Sequence, residues 1–147
     1  MPASTLEFAN QFVDGTEFHQ AYPDSLAPAD FINKLYERAG LSQHAGEKLQ
    51  AVQKMSTQST TRAQVLLELI ENREFKEREY NPSFVLMQYF GYLRRDADQD
   101  GYNFWLNVLN NREPGNYRGM VCSFITSREY QERFGVVPTR SNQDCAP

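Results

Sequence analysis

Three stretches of the chain share one spacing of apolar residues. Phe8, Ala9, Phe12 and Val13 form the first, Val65, Leu66, Leu69 and Ile70 the second, and Met120, Val121, Phe124 and Ile125 the third. Apolar residues at i, i+1, i+4 and i+5 make one stripe on a helix, whereas a strand alternates with period two. Each stretch runs into a turn or cap residue, Gly15, Asn72 or Ser127. Two places on stands Glu17, Glu74 or Glu129, followed by a ring, Phe18, Phe75 or Tyr130. Gly, Asn and Ser are good N-caps, and a glutamate in the first turn suits the helix dipole. The pattern therefore predicts, three times, a helix, a sharp break and a second short helix. That second helix ends near Tyr22, Tyr80 or Phe134, another ring able to fold back on the core.

The stretches between these copies correspond as well. Phe31 and Tyr36 match Phe84 and Tyr89 at an offset of 53, and Gly46 matches Gly101 at 55. The chain reads as a terminal half-unit (1–24), a first helical unit (25–80), a second (81–137) and a polar tail (138–147), together one compact domain. A period near 55 residues fits stacked helical units, each covering its neighbour's apolar face. Helices are expected near 5–14, 16–22, 28–39, 43–55, 61–71, 73–80, 82–93, 101–111, 116–126 and 128–134, with no strand, as an all-α bundle. Asn81-Pro82 reads as a cap followed by proline at the first helical position, the start of a new helix. Residues 84–93 are apolar nearly all round and predict a central buried helix. Asp100 is expected to cap the next helix, with Phe104, Trp105, Val108 and Leu109 on its inner side. The half-unit, left with an uncovered face, is expected to dock on the second unit or on another subunit.

Composition narrows the function. The 147 residues amount to one domain or two very small ones. With 15 Lys+Arg against 19 Asp+Glu, the formal charge is −4, which disfavours a general binder of phosphate backbones. Hydrophobic residues are only 40%, but aromatics are 13%, and a few large rings build a core because each buries much area. No apolar run approaches the roughly 20 residues of a membrane helix. The first residues carry neither a basic nor an apolar signal region, so the chain is expected to stay inside the cell or to be a piece of a longer one. Cys122 and Cys145 make no metal set. They read as a small apolar helix residue and an incidental tail residue; the alternative is one disulfide pinning the tail in an oxidising compartment.

Residues 84–95 lead into Asp100-Gly101-Tyr102-Asn103-Phe104-Trp105-Leu106, and Phe124-Ile125-Thr126-Ser127-Arg128-Glu129-Tyr130 follows. This order resembles the bacterial helical family known as domain of unknown function 4214. Its pattern is an aromatic-rich helix, an Asp-x-x-Gly turn, a helix carrying Trp, and a closing Ser-x-Glu-Phe or Ser-x-Glu-Tyr. Residues 84–135 fit it well. Residues 31–80 are a degenerate copy, with Gln50 in the place of Trp105 and no aspartates in the turn. The resemblance implies a module at the ends of long bacterial proteins, many secreted or surface-attached, with no enzymatic role. The closing motif is also similar to that of phycobilisome linker domains, so both comparisons imply assembly.

Candidate chemistry is sparse. Asp96-Ala97-Asp98-Gln99-Asp100-Gly101 matches the first half of an EF-hand loop, which would make Asp96, Asp98 and Asp100 calcium ligands, with the Tyr102 carbonyl. The twelfth position is Asn107 instead of the bidentate Glu, and the simpler reading is a polar turn. No other cofactor is expected. His19 and His44 read as solvated surface histidines in no catalytic motif, and Glu68 and Glu71 as a solvated helix face. Tyr89 and Trp105 fall on inward stripes. Tyr92, Tyr102 and Tyr117 are expected at the surface and, with Arg94 and Arg95, make a candidate interaction surface. The expected function is a non-catalytic protein–protein interaction or assembly module, extracellular or surface-attached as part of a longer polypeptide and cytoplasmic if complete as given. Its partners would be other subunits or copies of itself, with no nucleic acid and no membrane insertion. A calcium-binding surface module and a carbohydrate-binding module working through Tyr102 or Tyr117 are the alternatives.

Overall fold

Local caps decide where most helices begin. Thr61 accepts a hydrogen bond from the Gln64 backbone N–H while the Gln64 side chain accepts one from the Thr61 N–H, a reciprocal box at the start of a helix. Asn72 Oδ1 accepts from Phe75 N–H at 3.2 Å, Asn116 Oδ1 from Gly119 N–H at 2.9 Å, and Ser127 Oγ from Tyr130 N–H at 3.1 Å. The computed structural model describes residues 3–135. Along them run α1 (Ala3–Val13), α2 (Thr16–Ala21), α3 (Pro28–Arg38), α4 (Ala45–Ser56), α5 (Arg62–Ile70), α6 (Arg73–Gln88), α7 (Gln99–Asn107), α8 (Tyr117–Ile125) and α9 (Arg128–Phe134). Helices α6 and α7 each widen at their C-terminal end into one π-helical turn, Tyr89–Leu93 and Val108–Arg112. No strand occurs among the described residues, and the fold is all-α. The chain breaks between helices at Gly15, Asn72 and Ser127, where cap residues recur in the sequence. It falls into two compact units, Met1–Glu77 and Arg78–Pro147.

In the first unit the core centres on α3. Phe31 and Ile32 are fully buried and Leu35 and Tyr36 nearly so, joined by Leu41, Ala51 of α4, and Ala63, Val65, Leu67 and Leu69 of α5. A chain of rings links α2 to this core, with Phe18 to Tyr22 at 4.8 Å and Tyr22 to Phe31 at 5.5 Å. The carbonyls that end α2 are claimed by cations. Lys34 Nζ donates to the Ala21 carbonyl at 2.7 Å, and Arg62 donates to those of Tyr22 at 2.7 Å and Pro23 at 2.9 Å. Helix C-termini leave such carbonyls without intrahelical partners, and positive charge suits that end of the dipole. Arg62 also lies 4.7 Å from the centre of the Phe31 ring.

Helix α1 packs on α5, so the half-unit docks within residues 25–80. It does so through Ala9 and Val13. Phe8 and Phe12, of the same predicted stripe, are 67% and 53% exposed.

In the second unit Val85, Tyr89, Leu93, Leu109, Met120 and Phe124 form the core, flanked by Phe84, Trp105, Tyr117 and Tyr130. Three expectations need correction here. No helix starts at Pro82, because α6 runs through it. The Asn81 side chain does not cap; its Nδ2 donates to Asn110 Oδ1 at 2.6 Å and its Oδ1 accepts from Tyr117 Oη at 2.8 Å. Those contacts hold α6 in line at the position where proline removes a helical hydrogen bond. Residues 84–93 are not buried all round, since Leu86, Met87 and Phe90 are exposed. Phe104, expected on the inner side of α7, is exposed too, while Trp105 is half-buried.

Phe31→Ala is expected to remove about 3–5 kcal/mol of stability, as for other fully buried phenylalanines. Trp105→Ala, at a half-buried site, should remove roughly 2 kcal/mol on the same scale. Urea unfolding of the two variants beside the parent chain measures both.

Candidate functional site

The most organised side-chain cluster lies where the π-helical end of α6 meets the starts of α7 and α9. Arg95 donates from Nε to Glu129 Oε1 at 2.6 Å and from Nη2 to Oε2 at 3.0 Å, a two-point grip on the first turn of α9. Its Nη1 donates to the Asp96 carbonyl at 2.9 Å and to Asp98 Oδ2 at 3.2 Å. The guanidinium also lies 5.0 Å from the centre of the Tyr89 ring. A planar fork with five donors suits this multiple engagement, which a lysine ammonium would not reproduce.

Asp98 is the cap of α7, in place of the expected Asp100. Its Oδ1 accepts the Gly101 N–H at 2.8 Å, and that bond, with the Arg95 contact second, holds its carboxyl below the usual range. The hydrogen bond from Arg95 likewise lowers the Glu129 carboxyl, and these carboxylates raise the guanidinium. Gly101 is needed for space and not for a turn. It lies in the first turn of α7, where a Cβ would stand 2.2 Å from Tyr89 Oη and 3.0 Å from Asp98 Oδ1. The tyrosine hydroxyl occupies the place of a side chain, and burial with the nearby Asp98 charge raises its pKa.

These contacts line an open pocket of about 180 Å³ that includes Tyr89, Arg95, Trp105, Phe124, Ser127 and Glu129. Its polar groups face one another. Ser127 Oγ donates to the Phe124 carbonyl and Ser123 Oγ to the Gly119 carbonyl.

The calcium expectation grouped Asp96, Asp98 and Asp100. Among the described residues, no three His, Cys, Asp or Glu side chains come together in a way that would hold a metal ion. Asp98 is engaged by Gly101 and Arg95, while Asp96 and Asp100 are exposed. Of the candidate interaction surface, Tyr92, Tyr102 and Tyr117 are half-buried against the second core, with Tyr117 bonded to Asn81. Arg95 is spent on the cluster. Arg94 is exposed and left-handed at φ 51°. Cys122 lies half-buried on α8; Cys145 is outside the described residues, and so is the pairing considered for the two.

A second cluster went unread in the sequence. His44 is not a solvated residue: its side chain is 20% exposed, with Nδ1 2.9 Å from Glu47 Oε1 and Nε2 2.9 Å from Glu74 Oε2. Gln43 donates to the other Glu74 oxygen, and Asn72 to Glu47. The ring thus joins the start of α4 to the start of α6. His19 reaches Asp24 at 3.4 Å. Glu68 takes Lys54 at 2.9 Å and Glu71 takes Lys76, both on the outer face. The available signal was the recurring glutamate: Glu74 meets His44 and Glu129 meets Arg95.

Residues 69–134 match the family described as Domain of unknown function (DUF4214), the helical family whose motifs the sequence carries. The match takes in Asp98-x-x-Gly101, Trp105 and Ser127-x-Glu129-Tyr130, residues that converge around Arg95. No curated protein and no solved structure matches the chain, so the likeness to phycobilisome linkers gains no support.

Gly101→Ala should destabilise by about 1–3 kcal/mol through overpacking, although alanine is the better helix former. The loss should shrink by half or more in a Tyr89→Phe background, read as a double-mutant cycle by thermal unfolding. The His44 pKa is raised, first by the hydrogen bond to Glu74 and then by that to Glu47. A raised folded pKa stabilises fully below the unfolded value of about 6.5 and the gain is lost as pH rises through the folded value. Stability should therefore decline as pH climbs above about 6.5, and His44→Gln should flatten that decline in urea titrations.

Proposed function

We propose that the chain is a non-catalytic protein–protein interaction or assembly module. The observation that carries this reading is the set of large apolar side chains left at the surface. Phe8, Phe12 and Leu49 are exposed on the first unit, and Leu86, Met87, Phe90, Phe104 and Phe134 on the second. Single exposed hydrophobics are ordinary, but neighbours at i and i+3 or i+4, such as Met87 with Phe90 and Phe8 with Phe12, favour a partner.

The polar clusters support the same reading. Arg95 and His44 are each held between carboxylates that orient helix starts, an arrangement suited to fixing structure. The family resemblance adds the setting, a bacterial extracellular or surface assembly. Its partners would be other subunits or a second copy of the chain. Among the described residues no helix is long and apolar enough to cross a membrane. The helix–break–helix pairs α1–α2, α5–α6 and α8–α9 favour an architecture of units of about 55 residues.

Light scattering over a hundredfold range of concentration tests the self-assembly arm. The expected result is a mass that rises with concentration and falls back toward 17.0 kDa in a Met87→Glu, Phe90→Glu variant. A monomer at every concentration, with no partner retained by the immobilised chain from its source, would count against the proposal.

A further inference from the structure

The three helix–break–helix pairs bury different sides, and the difference identifies an uncovered face. In α5 and α8 the first and fifth stripe positions are the deepest: Val65 and Leu69 are 1% and 3% exposed, and Met120 and Phe124 likewise 1% and 3%. Their second and sixth positions, Leu66, Ile70, Val121 and Ile125, are half-buried. In α1 the order is inverted. Ala9 and Val13, at the second and sixth positions, are buried, while Phe8 and Phe12, at the first and fifth, stand open.

The second unit shows what belongs on the open side. Phe124 meets Tyr89 at 5.0 Å and Trp105 at 5.5 Å, rings supplied by the end of α6 and by α7. In the same helix pair Glu129, in the first turn of α9, receives the Arg95 fork. Glu17 holds the corresponding place in the first turn of α2 and is exposed. The α1–α2 pair therefore carries two exposed phenylalanines and, at the matching place along the chain, an exposed carboxylate. Within the second unit, Tyr89, Trp105 and Arg95 are the groups set against α8 and α9.

Resting on the assembly reading, we propose that Phe8, Phe12 and Glu17 form a docking face for an aromatic helix followed by an arginine, supplied by a separate polypeptide. The occupant has the chemistry that residues 84–105 present to α8 and α9. Apolar area provides the attraction, and the Glu17 carboxylate sets the register through the arginine.

The probe is a labelled synthetic peptide of residues 81–112, titrated into the full chain and followed by fluorescence anisotropy. Saturable binding is expected, weakened at least tenfold by Phe12→Asp and by Phe8→Asp, and a few-fold by Glu17→Gln. Both phenylalanines are exposed, so circular dichroism and melting should stay close to the parent; the Phe8 variant serves where loss of the 5.7 Å contact between Phe12 and Phe18 disturbs α2. An Arg95→Gln peptide should bind more weakly to the parent and equally to the Glu17→Gln chain. Absence of saturable binding overturns the proposal. So does binding untouched by either aspartate variant, which would mean displacement of the peptide's own counterpart at α8 and α9. Self-association of the chain through Phe8 and Phe12 would also overturn it while leaving the assembly reading in place.

Discussion

Arg95 is the contact on which the arrangement of the second unit depends. Helices α7 and α9 are short, nine and seven residues, and neither contributes a fully buried side chain within its span. Apolar burial is non-directional and, with so little of it, cannot by itself fix how such helices lie. One guanidinium reaches the cap of α7, the first turn of α9 and the ring of Tyr89 together. The ions are partly exposed, so each is screened and contributes modestly to stability. Their value is geometric: three fixed directions leave few alternative ways to place the same elements.

The first unit meets the same need with a different cation. His44 stands between Glu47 and Glu74, and a neutral ring, with one N–H, can donate to only one of them. Only the imidazolium satisfies both carboxylates. Arginine keeps its charge across the physiological range, whereas histidine does not. Each unit is thus braced internally by an analogous contact, one that keeps its charge across the physiological range and one that does not.

The sequence made most helices legible because their ends are decided locally. Thr61 with Gln64, and Ser127 three residues before Tyr130, need no distant information. What it hid was non-local. Asn81 looked like a cap, yet its amide is taken by Asn110 and Tyr117, some thirty residues away. The stripe on α1 was visible, but which edge of it is buried is set by its packing on α5, some fifty residues away. The recurrence of Glu17, Glu74 and Glu129 was plain, whereas Arg95 and His44 as their counterparts appear only in three dimensions. The aspartate turn was read for its carboxylates. Its decisive residue is Gly101, where the Tyr89 hydroxyl leaves no room for a methyl group.

The position of Trp105 has a spectroscopic consequence. It is the one tryptophan of the chain, and it packs on Phe124 in the second unit. Indole emission is therefore a signal from that unit alone, with the tyrosines beside it as energy donors. The first unit has only Tyr22 and Tyr36, both buried, as intrinsic chromophores of comparable wavelength. A melt followed at long emission wavelengths would witness half of the molecule, and a melt followed by helical ellipticity would witness both. Any temperature gap between the two curves is a direct reading of how independently the halves come apart.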